Sequence, residues 1–141
     1  MPSSELLILA AQETRRRAYT PYSGYKVGAA LETDSGAIVR GCNVENLSYG
    51  ATICAERTAV TKMIADGMGS KIVALAVASK DGVTPCGICL QVLSEFVEGP
   101  GTPVYRVNEA GEVQSMTFSE LLPHAFVSNE VGRTESESPA V

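Results

Sequence analysis

Apolar and polar positions follow one another along the chain in patterns that predict nine short elements of secondary structure. Residues 3–18 carry leucines and alanines at helical spacing, and the runs over 53–67 and 86–96 end at glycines, so all three are predicted to be helices. Residues 71–79 form an uninterrupted apolar run, which is typical of a strand buried on both faces. The remaining predicted elements are strands over 25–33, 37–45, 102–108 and 111–118 and a short helix over 119–126.

The order of these elements, α-β-β-α-β-α-β-β-α, predicts one α/β domain. Strands interleaved with helices favour a three-layer α-β-α architecture around a central, mixed and mostly five-stranded sheet. The domain is expected to span residues 1–128. Residues 129–141 are polar and acidic, and we predict that they form a disordered tail.

Composition and charge narrow the class of protein. A chain of 141 residues that is 45% hydrophobic has the composition of a globular domain, and no apolar stretch approaches the roughly 20 residues of a membrane span. A net charge of −5, from 11 Lys+Arg against 16 Asp+Glu, argues against a nucleic-acid partner. The first apolar segment has an acid before it and arginines after it, which is the wrong order for a secretory signal. We therefore expect a cytoplasmic protein with no membrane partner.

Four cysteines are the residues best suited to bind a metal, because the chain has a single histidine. In a cytoplasmic protein, thiols are more often metal ligands or catalytic groups than disulfides. Cys86 and Cys89 lie at positions i and i+3 of a predicted helix, so both sulfurs can reach one ion. Taken alone, this C-x-x-C pair is also compatible with a redox pair or with half of a structural zinc site.

Cys54 begins another predicted helix, and helices that follow neighbouring strands can begin at the same edge of a sheet. Cys54, Cys86 and Cys89 are therefore predicted to bind one zinc ion and to leave its fourth position open, as in catalytic sites. Glu56, in the first turn, is expected near that open position as a general acid/base. The guanidinium of Arg57 is expected to offset the negative charge of three thiolates.

Five sequence blocks resemble, in order, those of one enzyme family. The blocks are AYTPYSGYKVGAAL, GCNVENLSY, CAERTAV, PCGICLQVLSEF and LLPHAF, and they span roughly residues 18 to 126. Together they resemble the small homotetrameric, zinc-dependent cytidine deaminases. The resemblance implies a cytidine deaminase-like fold, one Zn²⁺ per subunit, and active sites shared between subunits. The implied reaction is hydrolytic deamination of cytidine and 2′-deoxycytidine to uridine and 2′-deoxyuridine, in pyrimidine salvage.

The resemblance also implies roles for the matching residues. Glu56 would carry protons from water to the base and to the leaving ammonia. Asn43 and Glu45 would bind the ribose hydroxyls, and positions i and i+2 of one strand face the same side. The backbone around Ala55 would bind the pyrimidine. Further residues implied at the site are Tyr25, Tyr49 and Phe126 for the substrate, the last two from neighbouring subunits, and Arg57 and Gln91 beside the metal ligands.

The chain departs from the family pattern at a few positions around the site. Leu90 stands where the family usually has arginine, which suggests a missing positive charge near the thiolates. Ile88 replaces a small residue, Tyr25 replaces the usual phenylalanine, and Leu47 replaces a small residue beside the expected sugar site. Tyr25 and Leu47 leave open the same chemistry on a modified cytosine nucleoside or a cytosine nucleoside antibiotic.

Cys42 is interpreted as a small buried hydrophobe. In the alternative, Cys42 closes a four-sulfur site and the chain is a non-enzymatic zinc domain. A polynucleotide deaminase is disfavoured, because the chain is acidic and has a cysteine where those enzymes usually have histidine.

Overall fold

The computed structural model describes residues 3–126, and its elements occur in the predicted order. The predicted tail over 129–141 lies outside the described residues. The elements are α1 Ser4–Arg15, β1 Gly28–Thr33, β2 Ile38–Cys42, α2 Ala55–Ala65, β3 Ile72–Ala78, α3 Gly87–Ser94, β4 Pro103–Val107, β5 Val113–Thr117 and α4 Phe118–Leu121, with a 3₁₀ turn at Tyr49–Ala51 before α2.

The strands form one mixed sheet in the order β2-β1-β3-β4-β5. β1 pairs antiparallel with both β2 and β3, β3 pairs parallel with β4, and β4 pairs antiparallel with β5. β3 is the central strand and is almost wholly buried, as its uninterrupted apolar run predicts. The predicted five-stranded mixed sheet and α/β fold class are confirmed.

Helices cover the sheet on both faces, which gives the three layers. On one face, α2 and α3 pack with the sheet in a core that includes Leu31, Met63 and Leu93. On the other face, α1 packs through Leu7, Ala10 and Ala11 onto a surface rich in alanine. Among residues 3–126, no helix is both long enough and apolar enough to cross a membrane.

Two glycines let helices approach the sheet at backbone distance. A Cβ at Gly28 would lie 2.1 Å from the carbonyl oxygen of Ala11 in α1. A Cβ at Gly41, in β2, would lie 2.4 Å from the carbonyl oxygen of Ala55 in α2. Each distance is far below van der Waals contact, so glycine at these positions fixes how closely each helix sits on the sheet.

One predicted boundary is wrong in a way that concerns the site. The strand predicted over 37–45 ends at Cys42, so Asn43 and Glu45 follow the ladder rather than belong to it. Val44, between them, forms isolated bridges with Tyr19 and Ile53 instead. The chain leaves the sheet here because its backbone now forms hydrogen bonds with the loops that contain Tyr19 and Ile53.

Candidate metal centre

Three cysteine sulfurs meet at one edge of the sheet. The Sγ atoms of Cys54, Cys86 and Cys89 all lie within 4.8 Å of one another, and those of Cys54 and Cys86 are 3.9 Å apart. Zinc–sulfur bonds of about 2.3 Å in a tetrahedron place sulfurs about 3.8 Å apart. The donor set and its spacing therefore fit a zinc ion. Within the described residues, Cys42 is not part of this cluster, so the closed four-sulfur alternative is not supported.

The topology brings these cysteines together. Gly28 of β1 pairs with Cys42 at the end of β2 and with Ala78 at the end of β3, so both strands end at the same level of the sheet. The chain then enters α2 through Cys54 and α3 through Cys86, each of which is the N-cap residue of its helix. Two helix N-termini, each equivalent to about +0.5 charge, therefore face the thiolates and stabilise them.

Glu56 lies in the first turn of α2 and is buried, with 4% of its surface exposed. Burial raises the pKa of its carboxyl group to about 7, and the negative charge of Cys54 acts in the same direction. A carboxyl group in this state exchanges a proton readily near neutral pH. Glu56 thus has the burial and the pKa of a general acid/base beside a metal.

Arg57 holds the first of these thiolates. Its Nη2 donates to Cys54 Sγ at 3.6 Å and to the carbonyl oxygen of Thr52 at 3.2 Å. Hydrogen bonds from Cys89 and then from Arg57 lower the pKa of Cys54 to about 5. Cys54 is therefore poised as a thiolate, the form that binds metal.

Asn43 and Glu45 hold a neighbouring loop, residues 20–27, which we call the substrate-side segment. The Asn43 amide accepts from Val27 N at 2.9 Å and donates to Tyr25 O at 2.9 Å. Glu45 accepts from the backbone N–H groups of Tyr22 and Ser23, both at 3.1 Å, and from the Ser23 hydroxyl. These hydrogen bonds, that of the Ser23 hydroxyl above all, keep the pKa of Glu45 below its usual value. Both residues thus fix the backbone of this segment.

The aromatic residues predicted at the site lie around its rim. The Tyr25 hydroxyl donates to Asp81 Oδ2 at 3.0 Å. Tyr49 is 69% exposed and packs edge-on against Tyr22, with ring centroids 5.2 Å apart. A cavity of about 300 Å³ opens beside this pair and is lined by Tyr22, Ser23, Glu45, Tyr49 and Thr52. Ala55 is fully buried at the start of α2.

Gln91 and Phe126 form a pair that the sequence did not indicate. The side chain of Gln91 donates to Phe126 O at 2.9 Å and accepts from Phe126 N at 3.4 Å. Gln91 is therefore engaged with the backbone of residue 126, although it was expected beside the metal ligands. Phe126 itself is 58% exposed.

The interpretation of Leu90 as a missing charge beside the thiolates stays a prediction. Its side chain is 7% exposed and belongs to the main hydrophobic core, which also contains Leu93 and Val77. Leu47 and Ile88, by contrast, are 81% and 66% exposed.

Arg106 and Asp81 are site-supporting residues that sequence reasoning missed. Arg106 Nη1 donates to Gly82 O at 2.8 Å and so braces residues 79–85, which lead to Cys86 and which we call the ligand loop. An arginine inside the apolar strand β4 was the one local signal, and it did not reveal a partner 24 residues away.

Comparison with known proteins agrees with this geometry. The family model described as the cytidine and deoxycytidylate deaminase zinc-binding region matches residues 1–100. Curated cytidine deaminases from Sporosarcina psychrophila and Halalkalibacterium halodurans are each 46% identical to this chain, over 123 and 129 residues respectively. These matches cover 86% and 90% of this chain and 90% and 96% of the relatives.

Solved structures give the same result. The crystal structure of cytidine deaminase from Burkholderia pseudomallei superposes with a TM-score of 0.81 at 42% identity, covering 89% of this chain and all (100%) of that one. The cytidine deaminase from Mycobacterium tuberculosis gives a TM-score of 0.75 at 37% identity, covering 91% of this chain and 100% of that one. The three-cysteine centre, the fold and these matches together show that the chain belongs to the zinc-binding cytidine and deoxycytidylate deaminase family.

Proposed function

We propose that this protein catalyses the hydrolytic deamination of cytidine and 2′-deoxycytidine to uridine and 2′-deoxyuridine. The observation that carries the proposal is the buried carboxyl group of Glu56, two residues after Cys54 in a cluster of three sulfur ligands. Three ligands leave the fourth position of a tetrahedral ion open to water. The printed names of the relatives, cytidine deaminases, support the choice of substrate.

In the proposed mechanism, Cys54, Cys86 and Cys89 hold the zinc ion, which when bound supplies a Lewis acid that makes water more acidic. Glu56 takes a proton from the attacking water. It delivers this proton to the ring nitrogen, then takes the remaining proton from the former water oxygen and delivers it to the departing amino group. Water and cytidine are thereby converted into uridine and ammonia. A carboxyl group with a pKa of about 7 suits both directions of transfer.

Asn43 and Glu45 are proposed to bind the ribose while they hold the substrate-side segment. An amide nitrogen carries two N–H groups, and Asn43 donates one of them to Tyr25 O, so one is left for a hydroxyl. The carboxylate of Glu45 retains acceptor capacity beyond its contacts with Tyr22 and Ser23. The charge of Glu45 also disfavours a phosphate in place of the 5′-hydroxyl, so we propose a nucleoside rather than a nucleotide substrate.

The pyrimidine is proposed to lie against the backbone at Ala55, beside the ring of Tyr25 and stacked on Phe126. We further propose a homotetramer in which Tyr49 and Phe126 come from neighbouring subunits. Their exposure in the isolated chain, 69% and 58%, supports this, as does that of Leu47 at 81%. Large exposed apolar side chains of this kind often mark protein–protein contacts. A role in pyrimidine salvage in the cytoplasm stays a prediction.

A substrate panel tests the proposal. Purified, zinc-loaded protein is incubated with cytidine, 2′-deoxycytidine, cytosine and cytidine 5′-monophosphate, and the loss of ultraviolet absorbance is followed. We expect turnover of both nucleosides, and kcat/KM lower by about a hundredfold or more for the free base and the nucleotide. No turnover of either nucleoside would refute the proposal. Turnover of 5-substituted cytidines in preference to cytidine would favour the modified-nucleoside alternative that the exposed Leu47 leaves room for.

A further inference from the structure

We propose that Tyr25 and Asp81 form a latch that fixes the substrate-side segment against the ligand loop and thereby sets the affinity for substrate. The latch is the hydrogen bond from the Tyr25 hydroxyl to Asp81 Oδ2, at 3.0 Å. It joins residues 56 positions apart in the chain, one in the substrate-side segment and one in the ligand loop. Asp81 and the Tyr25 hydroxyl act by positioning, apart from the proposed contact of the Tyr25 ring with the base, and the inference rests on the function proposed above.

The substrate-side segment is otherwise held by residues just beyond β2 and by α1, where Arg15 Nε donates to Lys26 O at 3.0 Å. Asn43 and Glu45 hold its backbone at residues 22–27, and the Ser23 hydroxyl also accepts from Tyr25 N at 3.0 Å. The contacts of Asn43 and Glu45 lie on the ribose side of the proposed site. The Tyr25 side chain is the part of this segment that contacts the ligand loop.

The ligand loop is fastened to different strands. Ser79, directly after β3, accepts from Val83 N at 3.0 Å through its hydroxyl, and Arg106 of β4 donates to Gly82 O at 2.8 Å. The loop ends at Cys86, whose position depends on how the preceding residues are held. The two segments thus leave adjacent strands at the paired residues Gly28 and Ala78, and the latch joins them beyond that pair.

The latch requires the tyrosine hydroxyl. Where the family pattern has phenylalanine at this position, this bond has no donor, so the latch is a property of chains with tyrosine here. An exposed hydrogen bond to a carboxylate has a modest net strength, so we expect an effect of about two- to tenfold on substrate affinity. The chemical step, which depends on Glu56, is expected to change little.

The test measures KM and kcat for cytidine in the zinc-loaded variants Tyr25→Phe, Asp81→Ala, Asp81→Asn and the double variant Tyr25→Phe/Asp81→Ala. It also measures the rate at which a chelator removes zinc from each resting protein. In Tyr25→Phe and in Asp81→Ala we expect KM to rise two- to tenfold while kcat stays within about twofold of the unmodified protein. Both variants should also lose zinc to the chelator measurably faster. The double variant should be no worse than either single variant, because both remove the same bond. Asp81→Asn, which keeps an acceptor oxygen, should remain within about twofold of the unmodified protein.

Tyr105→Phe is the matched control, because it removes a tyrosine hydroxyl on the α1 face of the sheet. Additive effects in the double variant, or single variants with unchanged KM and unchanged zinc loss, would overturn the latch. Asp81→Asn as impaired as Asp81→Ala would also overturn it. If the unmodified protein fails to deaminate cytidine, the proposed function falls. The latch is then judged by zinc loss alone, which must still be faster and non-additive in the same variants.

Discussion

Gly41 lies directly beneath Ala55, the first residue of the helix that carries Glu56. A Cβ at position 41 would be 2.4 Å from Ala55 O, 2.5 Å from Ala59 N and 3.0 Å from Ala59 Cα. All three atoms belong to the helix backbone, which cannot move aside as a flexible side chain can. The strand that precedes Asn43 and the helix that begins after Cys54 are therefore locked together through a position that must be glycine.

We predict that Gly41→Ala displaces the first turn of α2 and with it Cys54 and Glu56. Overpacking of this kind typically costs about 1–3 kcal/mol in the free energy of unfolding. Zinc affinity and kcat should fall as well, because the ligand and the acid/base move relative to Cys86 and Cys89. Urea unfolding, zinc titration and kinetics measure the three effects.

Gly28→Ala is the matched control for that prediction. Its Cβ would meet Ala11 O at 2.1 Å and Arg15 N at 2.5 Å, so it strains α1 on the opposite face of the sheet. We expect comparable destabilisation with zinc affinity preserved in the folded protein. Equal losses of zinc affinity in the two variants would contradict the assignment of Gly41 to the site.

Asn43→Asp tests the role of the Asn43 amide. The substitution is nearly isosteric, but it turns the group that donates to Tyr25 O into a carboxylate oxygen facing that carbonyl. Because Asn43 is buried, we expect a loss of about 2–3 kcal/mol in stability and a rise in KM for cytidine. Asn46→Asp is the control: the oxygen of Asn46 accepts from Ser48 N at 2.8 Å, a contact that aspartate keeps. Similar behaviour of the two variants would argue against Asn43 as the support of this segment.

Gln91→Ala should act on Phe126 rather than on the metal. Removing the amide that contacts both Phe126 N and Phe126 O frees that residue, so we predict a higher KM with unchanged zinc content. Phe126→Ala should have an equal or larger effect, and combining the two should add nothing to it. Loss of zinc from Gln91→Ala would instead place Gln91 among the supports of the ligands.

The raised pKa of Glu56 has a consequence for stability in protein freed of metal. With a folded-state pKa of about 7 against 4.5 for a carboxyl group free in water, the folded chain keeps a proton that the unfolded chain loses between those values. Stability should therefore fall as pH rises from about 4.5 to 7 and stay low above that window. Glu56→Gln should match the unmodified protein near pH 4 and exceed it near pH 8 by on the order of 3 kcal/mol. Denaturant unfolding at both pH values measures this difference, and a difference independent of pH would contradict it.

The parts of the structure that the sequence predicts are those governed by local pattern. Apolar periodicity gives the order of the elements, and the buried run over 71–79 gives the central strand. The convergence of the three cysteines could be predicted because each lies in the first turn of a predicted helix. Sequence identity with a relative named cytidine deaminase then supports the same interpretation.

The parts that the sequence did not predict depend on tertiary contacts between distant residues. Leu90 lies on the buried side of α3, which only the packing of that helix decides. The pairing of Tyr25 with Asp81 and that of Arg106 with Gly82 join loops through side chains far apart in the chain. Asn43 was expected on a strand, but its backbone leaves the ladder to meet two loops.

The most direct test of the account compares the unmodified protein with Glu56→Gln, measuring bound zinc and kcat for cytidine on the same preparations. Glutamine preserves the size of the side chain and removes its ability to carry a proton. We predict about one zinc ion per chain in both proteins and a kcat lower by about 10²–10⁴-fold in the variant, the range that general acid/base catalysis contributes. A zinc-loaded Glu56→Gln protein that deaminates cytidine at the unmodified rate would contradict the account.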